Sequence, residues 1–191
     1  MSPWTTDYPF FVSFALFIEV IVLQRLIELG ISARNRRRLE ARGAREYGAR
    51  HFPLLVMVHV VYPLSLVAEV VWLGTRPNPL WPLWLGLWMA AQGLRYAAIR
   101  ELGERWNVRI LVVPDAPLVQ SGPYRWVRHP NYVAVVVELL AGSLLFGAWR
   151  TALLVTALNA IALTFRIRAE NRALGHRDTD PPGLPVPTRA R

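Results

Sequence analysis

The sequence contains no cysteine, which excludes disulfides, thiolate metal sites and cysteine nucleophiles. It contains no lysine either, so all 22 basic residues are arginine, set against 13 acidic ones. The four histidines, at positions 51, 59, 129 and 176, show no metal-ligand spacing, and no zinc site is expected. Charged residues make up only 18% of the chain, below the roughly 25% of a soluble domain. What fills the gap is apolar, at 53% of residues. A net charge of +9 and a pI near 11.1 would suit a nucleic-acid partner. The arginines, however, fall in blocks between long apolar runs, a pattern set by orientation across a bilayer, so nucleic acid is set aside.

Five apolar runs read as membrane spans. The first, Phe10 to about Leu29, follows an N-terminus without arginine, and no small-residue cleavage site ends it, so it reads as a span rather than a signal peptide. Residues 32–50 then invert in composition and read as an Arg-rich loop. A second span, Pro53 to Leu73, leads through a GTRPNP turn to a third, Leu80 to Ile99. Residues 100–130 form a polar, basic insert with one β-like run, Val108 to Val113. A fourth span, Tyr132 to Trp149, turns at Arg150 into a short fifth, Thr151 to Phe165, and the chain ends in the Pro-rich PPGLPVP segment, where disorder is expected. The first three runs match the roughly 20 residues needed to cross a hydrocarbon core.

Assigning arginines to sides gives seven in the first loop, five in the 100–130 insert and six in the tail, against Arg76 and Arg150 opposite. Eighteen against two predicts an N-terminus outside and a C-terminus in the cytoplasm. No internal or inverted repeat of the transporter kind is present.

Two clusters carry chemistry at the cytoplasmic side. The first is SGPYRWVRHPNY, residues 121–132, in which Pro130 suits the first turn of a helix because its missing N–H costs nothing there. His129 then sits at the helix mouth beside free backbone donors, a setting for an anionic group. Arg125, Trp126 and Arg128 equally suit a plain headgroup anchor. The second is Arg166-Ile-Arg-Ala-Glu170, whose spacing puts Arg166 and Glu170 on one helix face. They read either as an ordinary i, i+4 pair, in its weaker Arg-first order, or as a site.

These residues resemble the isoprenylcysteine carboxyl methyltransferase family of integral-membrane enzymes over roughly residues 80–174. The resemblance rests on LVQSGPYRWVRHPNY, similar to the family's Leu-Val-x-x-Gly-x-Tyr-x-x-x-Arg-His-Pro-x-Tyr signature, followed by a helical hairpin and an Arg-x-x-x-Glu. It implies an all-α membrane protein of five transmembrane helices with a cytoplasmic cofactor-binding loop and a C-terminal helical hairpin. It further implies S-adenosylmethionine as cofactor, held by Ala116, Pro117, Leu118, Val119, Tyr124, His129, Pro130, Asn131, Tyr132 and Glu170. Arg166 would face a lipid-bearing acceptor. No Gly-x-Gly-x-x-Gly segment exists, which sets aside a soluble Rossmann-type methyltransferase. Three departures bear on this: Ala116 replaces a histidine of eukaryotic members, Asn171 replaces a second acidic residue, and the tail from Gly175 lacks the Tyr-rich ending of many members. The implied organisation is residues 1–79 as two helices with the Arg-rich loop, 80–176 as the methyltransferase core and 177–191 as a disordered tail, in a bacterial inner membrane.

Ionisable residues inside the spans complete the reading. Arg25 and Glu28, three apart, are expected to pair. Glu69 is expected to reach water at the outer end of its span, and His59 reads as an interior histidine or a site residue. Glu19 and Glu138 lie within apolar runs, where an ionisable group costs at least about 2.5 kcal/mol and is a functional candidate by default. Glu138 has two readings, a hydrogen bond to Asn159 or a catalytic base for the acceptor. Apolar surroundings would suit it to deprotonate a phenol, a reaction that a lipid carboxylate, ionised already, does not need. Arg166 would then stabilise the phenolate. The expected acceptor is a long-chain phenol or resorcinol, as in the bacterial phenolic-lipid-methylating members that the sequence resembles, with prenylcysteine or another lipid carboxylate, or an amino-phospholipid, as alternatives. A non-catalytic membrane protein, whose arginines bind anionic lipid, is the alternative of a different class.

Overall fold

The computed structural model describes residues 4–114, 116, 118–173 and 175, with side chains from residue 8 onward. Five long helices carry the chain: α1 (Trp4–Ala41), α2 (Phe52–Trp72), α3 (Trp81–Leu102), α4 (Pro130–Leu145) and α5 (Trp149–Ala173). Two three-residue strands, β1 (Arg45–Tyr47) and β2 (Ile110–Val112), pair antiparallel with Glu46 opposite Leu111. Among the described residues three helices, α1, α2 and α5, are long and apolar enough to cross a membrane. The tryptophans, Gln92 and Arg95 of α3 dilute its apolar character, and the 16 residues of α4 reach only about 24 Å. The Pro-rich tail lies outside the described residues.

The expected Arg-rich loop is half helix. The first helix does not stop at Leu29 but runs through Arg34, Arg36, Arg37 and Arg38 to Ala41, because beyond Gly30 nothing in that stretch breaks a helix and arginine is a good helix former. It ends where Gly43 takes φ +79°, with Gly43 N–H on the Glu40 carbonyl and Ala44 N–H on that of Leu39, the paired bonds of a Schellman cap. The fifth helix is likewise not short: it continues past Phe165 to Ala173, carrying Arg166 and Glu170 on one continuous cylinder. The β-like run at 108–113 is confirmed as β2. Its partner β1 carries no such signal, being Arg-Glu-Tyr with no apolar run, and forms only because β2 lies beside it.

The basic segments gather at one end of the bundle. The Asn35 amide donates to the carbonyls of Gly103 and Trp106, Asn107 donates to the Ser32 carbonyl, and Glu104 takes Arg38 and Arg42 at 2.5 and 2.7 Å. Arg109 pairs with Glu46 at 2.5 Å and lies 4.1 Å from the Phe52 ring centroid. The C-terminal end of α1, the strands and the 100–130 insert thus form one layer. The apolar core lies beyond it, where Phe14, Phe17 and Phe146 meet at centroid distances of 5.0 Å against Val58, Leu66, Trp88 and Leu139.

At the opposite end, Glu69 does not reach water. It is buried, and its carboxylate accepts the backbone N–H of Arg150 at 3.1 Å and of Thr151 at 2.6 Å. It therefore serves the unsatisfied donors at the N-terminus of α5, where negative charge is favoured. The α4–α5 turn is a second Schellman cap, with Gly147 at φ +71°, Gly147 N–H on the Leu144 carbonyl and Ala148 N–H on that of Ser143. A Cβ on Gly147 would fall against the backbone carbonyl of Arg76, whereas one on Gly86 in α3 would meet nothing within 4 Å. Gly147→Ala should therefore lower stability by about 1–3 kcal/mol, the cost of a strained non-glycine conformation, while Gly86→Ala should leave it unchanged or raise it. Thermal unfolding of the detergent-solubilised variants checks this, and equal midpoints would refute it.

Candidate functional site

Local sequence sets the mouth of α4. Pro130 is its first residue and His129 its N-cap, as expected from a proline that has no N–H to lose. The preceding 122–125 turn is tied to α3: Ser121 donates to Glu101, and Gly122, at φ +56°, sits where a Cβ would collide with the Glu101 carboxylate. Glu101 thus positions the loop, a role with no signature in the sequence.

Around the mouth, Tyr132 is the joint. Its hydroxyl donates to the Glu170 carboxylate and accepts from Arg166 Nε at 2.7 Å. Its ring stacks on His129 at 5.0 Å and 11°, and His129 Nδ1 lies 3.9 Å from Glu170. Arg166 also donates to the Val108 carbonyl at 2.7 Å. Arg166 and Glu170 therefore meet through the Tyr132 hydroxyl rather than as a simple i, i+4 pair. Tyr124, beside this cluster, has its hydroxyl pushed well above the ordinary phenol range by burial, reinforced by the negative charges of Glu170 and Glu101, so it stays a proton donor. Leu118 is exposed, Val119 is half-buried, and Ala116 bonds through its backbone N–H to the Val113 carbonyl. Pro117 lies outside the described residues.

Behind Tyr132 opens a cavity of about 240 Å³, lined mainly by apolar side chains of α1, α2, α4 and α5. Tyr132 and Arg166 belong both to its wall and to the polar cluster. Its floor is ionic. Arg25 bonds Glu28 at 2.6 Å and Glu138 at 2.5 Å, while Arg95, 2% exposed, bonds Glu138 and lies 3.4 Å from Glu28. Gln24 donates to Glu28 and to Gln92 at 3.1 and 2.7 Å.

This corrects both readings of Glu138. It is not an isolated carboxyl in apolar surroundings, since two guanidiniums occupy its oxygens, and it is not hydrogen-bonded to Asn159, whose amide has no protein partner. A carboxylate so engaged is a structural anion and not a free base. The Arg25–Glu28 pair forms as expected but is one edge of a larger cluster. Sequence reasoning does not single out Arg95, Gln24 or Gln92. Their signal was available: polar residues at positions 24 and 28 and at 92 and 95 lie on single helix faces within apolar runs. Glu19 is exposed on α1 and takes no part.

The geometry is that of a polar mouth opening on a largely apolar chamber. Residues 84–176 match the isoprenylcysteine carboxyl methyltransferase (ICMT) family. The chain belongs to this family. ICMT proteins are membrane methyltransferases that typically use S-adenosylmethionine, and this chain, with its three membrane-length apolar helices, fits the family's membrane methyltransferases. It is 39% identical over 161 residues to the uncharacterized protein YpbQ of Bacillus subtilis, an alignment spanning 84% of this chain and 96% of the relative. An uncharacterized protein of Haemophilus influenzae is 32% identical over 166 residues, with the same coverage of 84% and 96%. The cobalt-zinc-cadmium resistance protein CzcN of Cupriavidus metallidurans is 33% identical over 125 residues, covering 62% of this chain and 52% of that one. No solved structure matches.

The ion cluster generates a prediction that separates architecture from site. Glu138→Ala leaves the buried Arg95 guanidinium and the partly buried Arg25 short of an anion and should cost about 3–5 kcal/mol. Glu170→Gln, at the half-open mouth, should leave the unfolding midpoint nearly unchanged. Unfolding midpoints measured in one detergent check both, and a Glu138→Ala protein as stable as wild type would refute the structural assignment.

Proposed function

We propose that this ICMT-family protein is an S-adenosylmethionine-dependent enzyme that methylates the hydroxyl of a long-chain phenol or resorcinol held in the bilayer. The observation that carries this reading is that Tyr132 and Arg166 are shared between a polar, half-open cluster and the apolar cavity, so one face suits a polar cofactor and the other an alkyl-chained acceptor.

The residues present fit the cofactor. Asn131 Oδ1 is buried and has no partner in the protein, an acceptor left over for an ammonium or hydroxyl group. Glu170 suits the same groups, and His129 at the helix mouth suits a carboxylate. Pro130, Tyr132 and Tyr124 wall the same turn, and Ala116, Leu118 and Val119 lie on the preceding loop. Bound there, S-adenosylmethionine supplies an electrophilic methyl group on a sulfonium. The protein's work is then to orient the acceptor and exclude water, which the dry walls of the cavity favour. Arg166, on the cavity wall with its fork toward Tyr132, is placed to stabilise negative charge on the acceptor oxygen. In this reading residues 80–176 form the methyltransferase core, α1 and α2 close the cavity, and all five helices traverse the membrane, with the N-terminus outside and the site cytoplasmic. The phenol assignment is supported by the apolar walls and by the resemblance to phenolic-lipid-methylating members, no longer by Glu138. A lipid carboxylate is the second reading, favoured by the guanidinium of Arg166 on the cavity wall.

Two measurements test this. Isothermal titration with S-adenosylhomocysteine should show binding to wild type and a loss of about tenfold to a hundredfold in Glu170→Ala, the range for a charge-assisted hydrogen bond. Absence of binding to wild type at millimolar ligand would remove the cofactor assignment. Arg166→Lys keeps the charge but loses the planar fork, so it should lower kcat/KM for the acceptor about tenfold while cofactor affinity stays within threefold. A methyl-transfer panel of lipid phenols, lipid acids and amino-phospholipids identifies the acceptor class.

A further inference from the structure

With Glu138 held by two arginines, a phenolic proton needs another destination, and the cavity holds one unengaged base. His59, on α2, lines it. Its Nδ1 lies 2.8 Å from the Leu55 carbonyl oxygen. A carbonyl can only accept, so Nδ1 carries the proton and Nε2 keeps its lone pair. The charged groups around the histidine are Arg25 and Glu28 from α1, Arg95 from α3, Glu138 from α4 and Arg166 from α5. Tyr132 on α4 and Tyr62 on α2 are the neutral titratable neighbours.

The wall contributed by α5 holds a second unused group. Asn159 is 1% exposed, yet neither its amide oxygen nor its amide nitrogen has a partner within the protein, and it lines the same cavity. Buried amides are almost always bonded, so one in a chamber wall with both ends unbonded is complementary to a ligand group that both donates and accepts. A resorcinol head supplies such a group: while one hydroxyl is methylated, the other can donate to the amide oxygen and accept from the amide nitrogen.

We propose that His59 is the general base for this acceptor and that Asn159 holds its second hydroxyl. The inference rests on the phenol reading above. As the oxygen forms its bond to the methyl carbon, the carbon–sulfur bond breaks and its electron pair stays on sulfur, leaving a thioether. The hydroxyl proton passes to His59 Nε2 and from the imidazolium to water once the methyl ether has left. A lipid carboxylate brings no proton, so His59 would have no part in its methylation.

The experiment compares wild type, His59→Gln and Asn159→Leu, full length in nanodiscs, on a pentadecyl resorcinol and a long-chain lipid carboxylate. His59→Gln should lower kcat on the resorcinol by about a hundredfold at pH 7, the usual contribution of a general base. That deficit should shrink toward pH 10, where the phenol ionises unaided. Binding of S-adenosylhomocysteine within threefold of wild type shows that the variants are folded. Asn159→Leu should weaken binding of the resorcinol to the cofactor-free protein about tenfold, read by titration calorimetry without turnover. If wild type methylates the resorcinol and His59→Gln does so equally fast, or is slowed by the same factor at every pH, the base assignment is overturned while the phenol reading stands. If wild type methylates only the carboxylate, both fall together. Unchanged resorcinol affinity in Asn159→Leu overturns the role of Asn159.

Discussion

Two arginines and two glutamates in one cluster, of which Glu28, Arg95 and Glu138 are buried and Arg25 partly so, constrain everything else in this structure. Taking such charges out of water is expensive, and only near-complete mutual satisfaction makes it tolerable. Arg25 and Glu28 come from α1, Arg95 from α3 and Glu138 from α4, so the cluster forms only when these three helices adopt one register. Sliding any of them by a turn would strand a charge in an apolar interior. Apolar packing between membrane-type helices offers little such discrimination, since lipid tails satisfy leucine as well as a neighbouring helix does. The same cluster is the floor of the cavity, so the element that specifies the bundle also shapes that chamber.

At the mouth the constraint is of a different kind. Tyr132 receives Arg166 on one side and gives to Glu170 on the other, so α4 and the last turns of α5 are joined at one hydroxyl. The strand pair, the Glu101 clasp on Ser121 and the Asn35 bonds to Gly103 and Trp106 hold the surrounding loop against α1 and α3. Rigid support behind a polar mouth is what a positioning enzyme requires, because its contribution lies in geometry and water exclusion more than in covalent chemistry. The unbonded amide of Asn159 and the open Nε2 of His59 mark the places where the protein leaves its own hydrogen bonding incomplete.

Much of this was legible in the chain itself. Helix locations followed from apolar runs of about 20 residues, the start of α4 from Pro130, the α4–α5 hairpin from the break at Arg150, and the mouth of the site from residues 121–132 with Arg166 and Glu170. These are local signals, each readable within one or two turns of backbone. The errors were also local in origin. An Arg-rich stretch reads as loop because its side chains prefer water, although its backbone has every reason to stay helical, and falling hydropathy at Phe165 marks the end of an apolar run, not the end of the helix that carries Arg166 and Glu170.

What only the tertiary structure decided is who partners whom. Glu138 lies 113 residues from Arg25 and 43 from Arg95, and Glu69 lies 81 residues from the helix end that it serves. An apolar neighbourhood in sequence made Glu138 look like an isolated acid, when in space it is among the most heavily paired groups in the molecule. Periodicity records which face of a helix is buried but not what that face meets. Electrostatic satisfaction depends on groups within about 4 Å in space, whatever their separation along the chain. The sequence by itself therefore determined the class of protein, its helices and the polar mouth of its site, while the roles of its buried charges were settled by the packing of the helices.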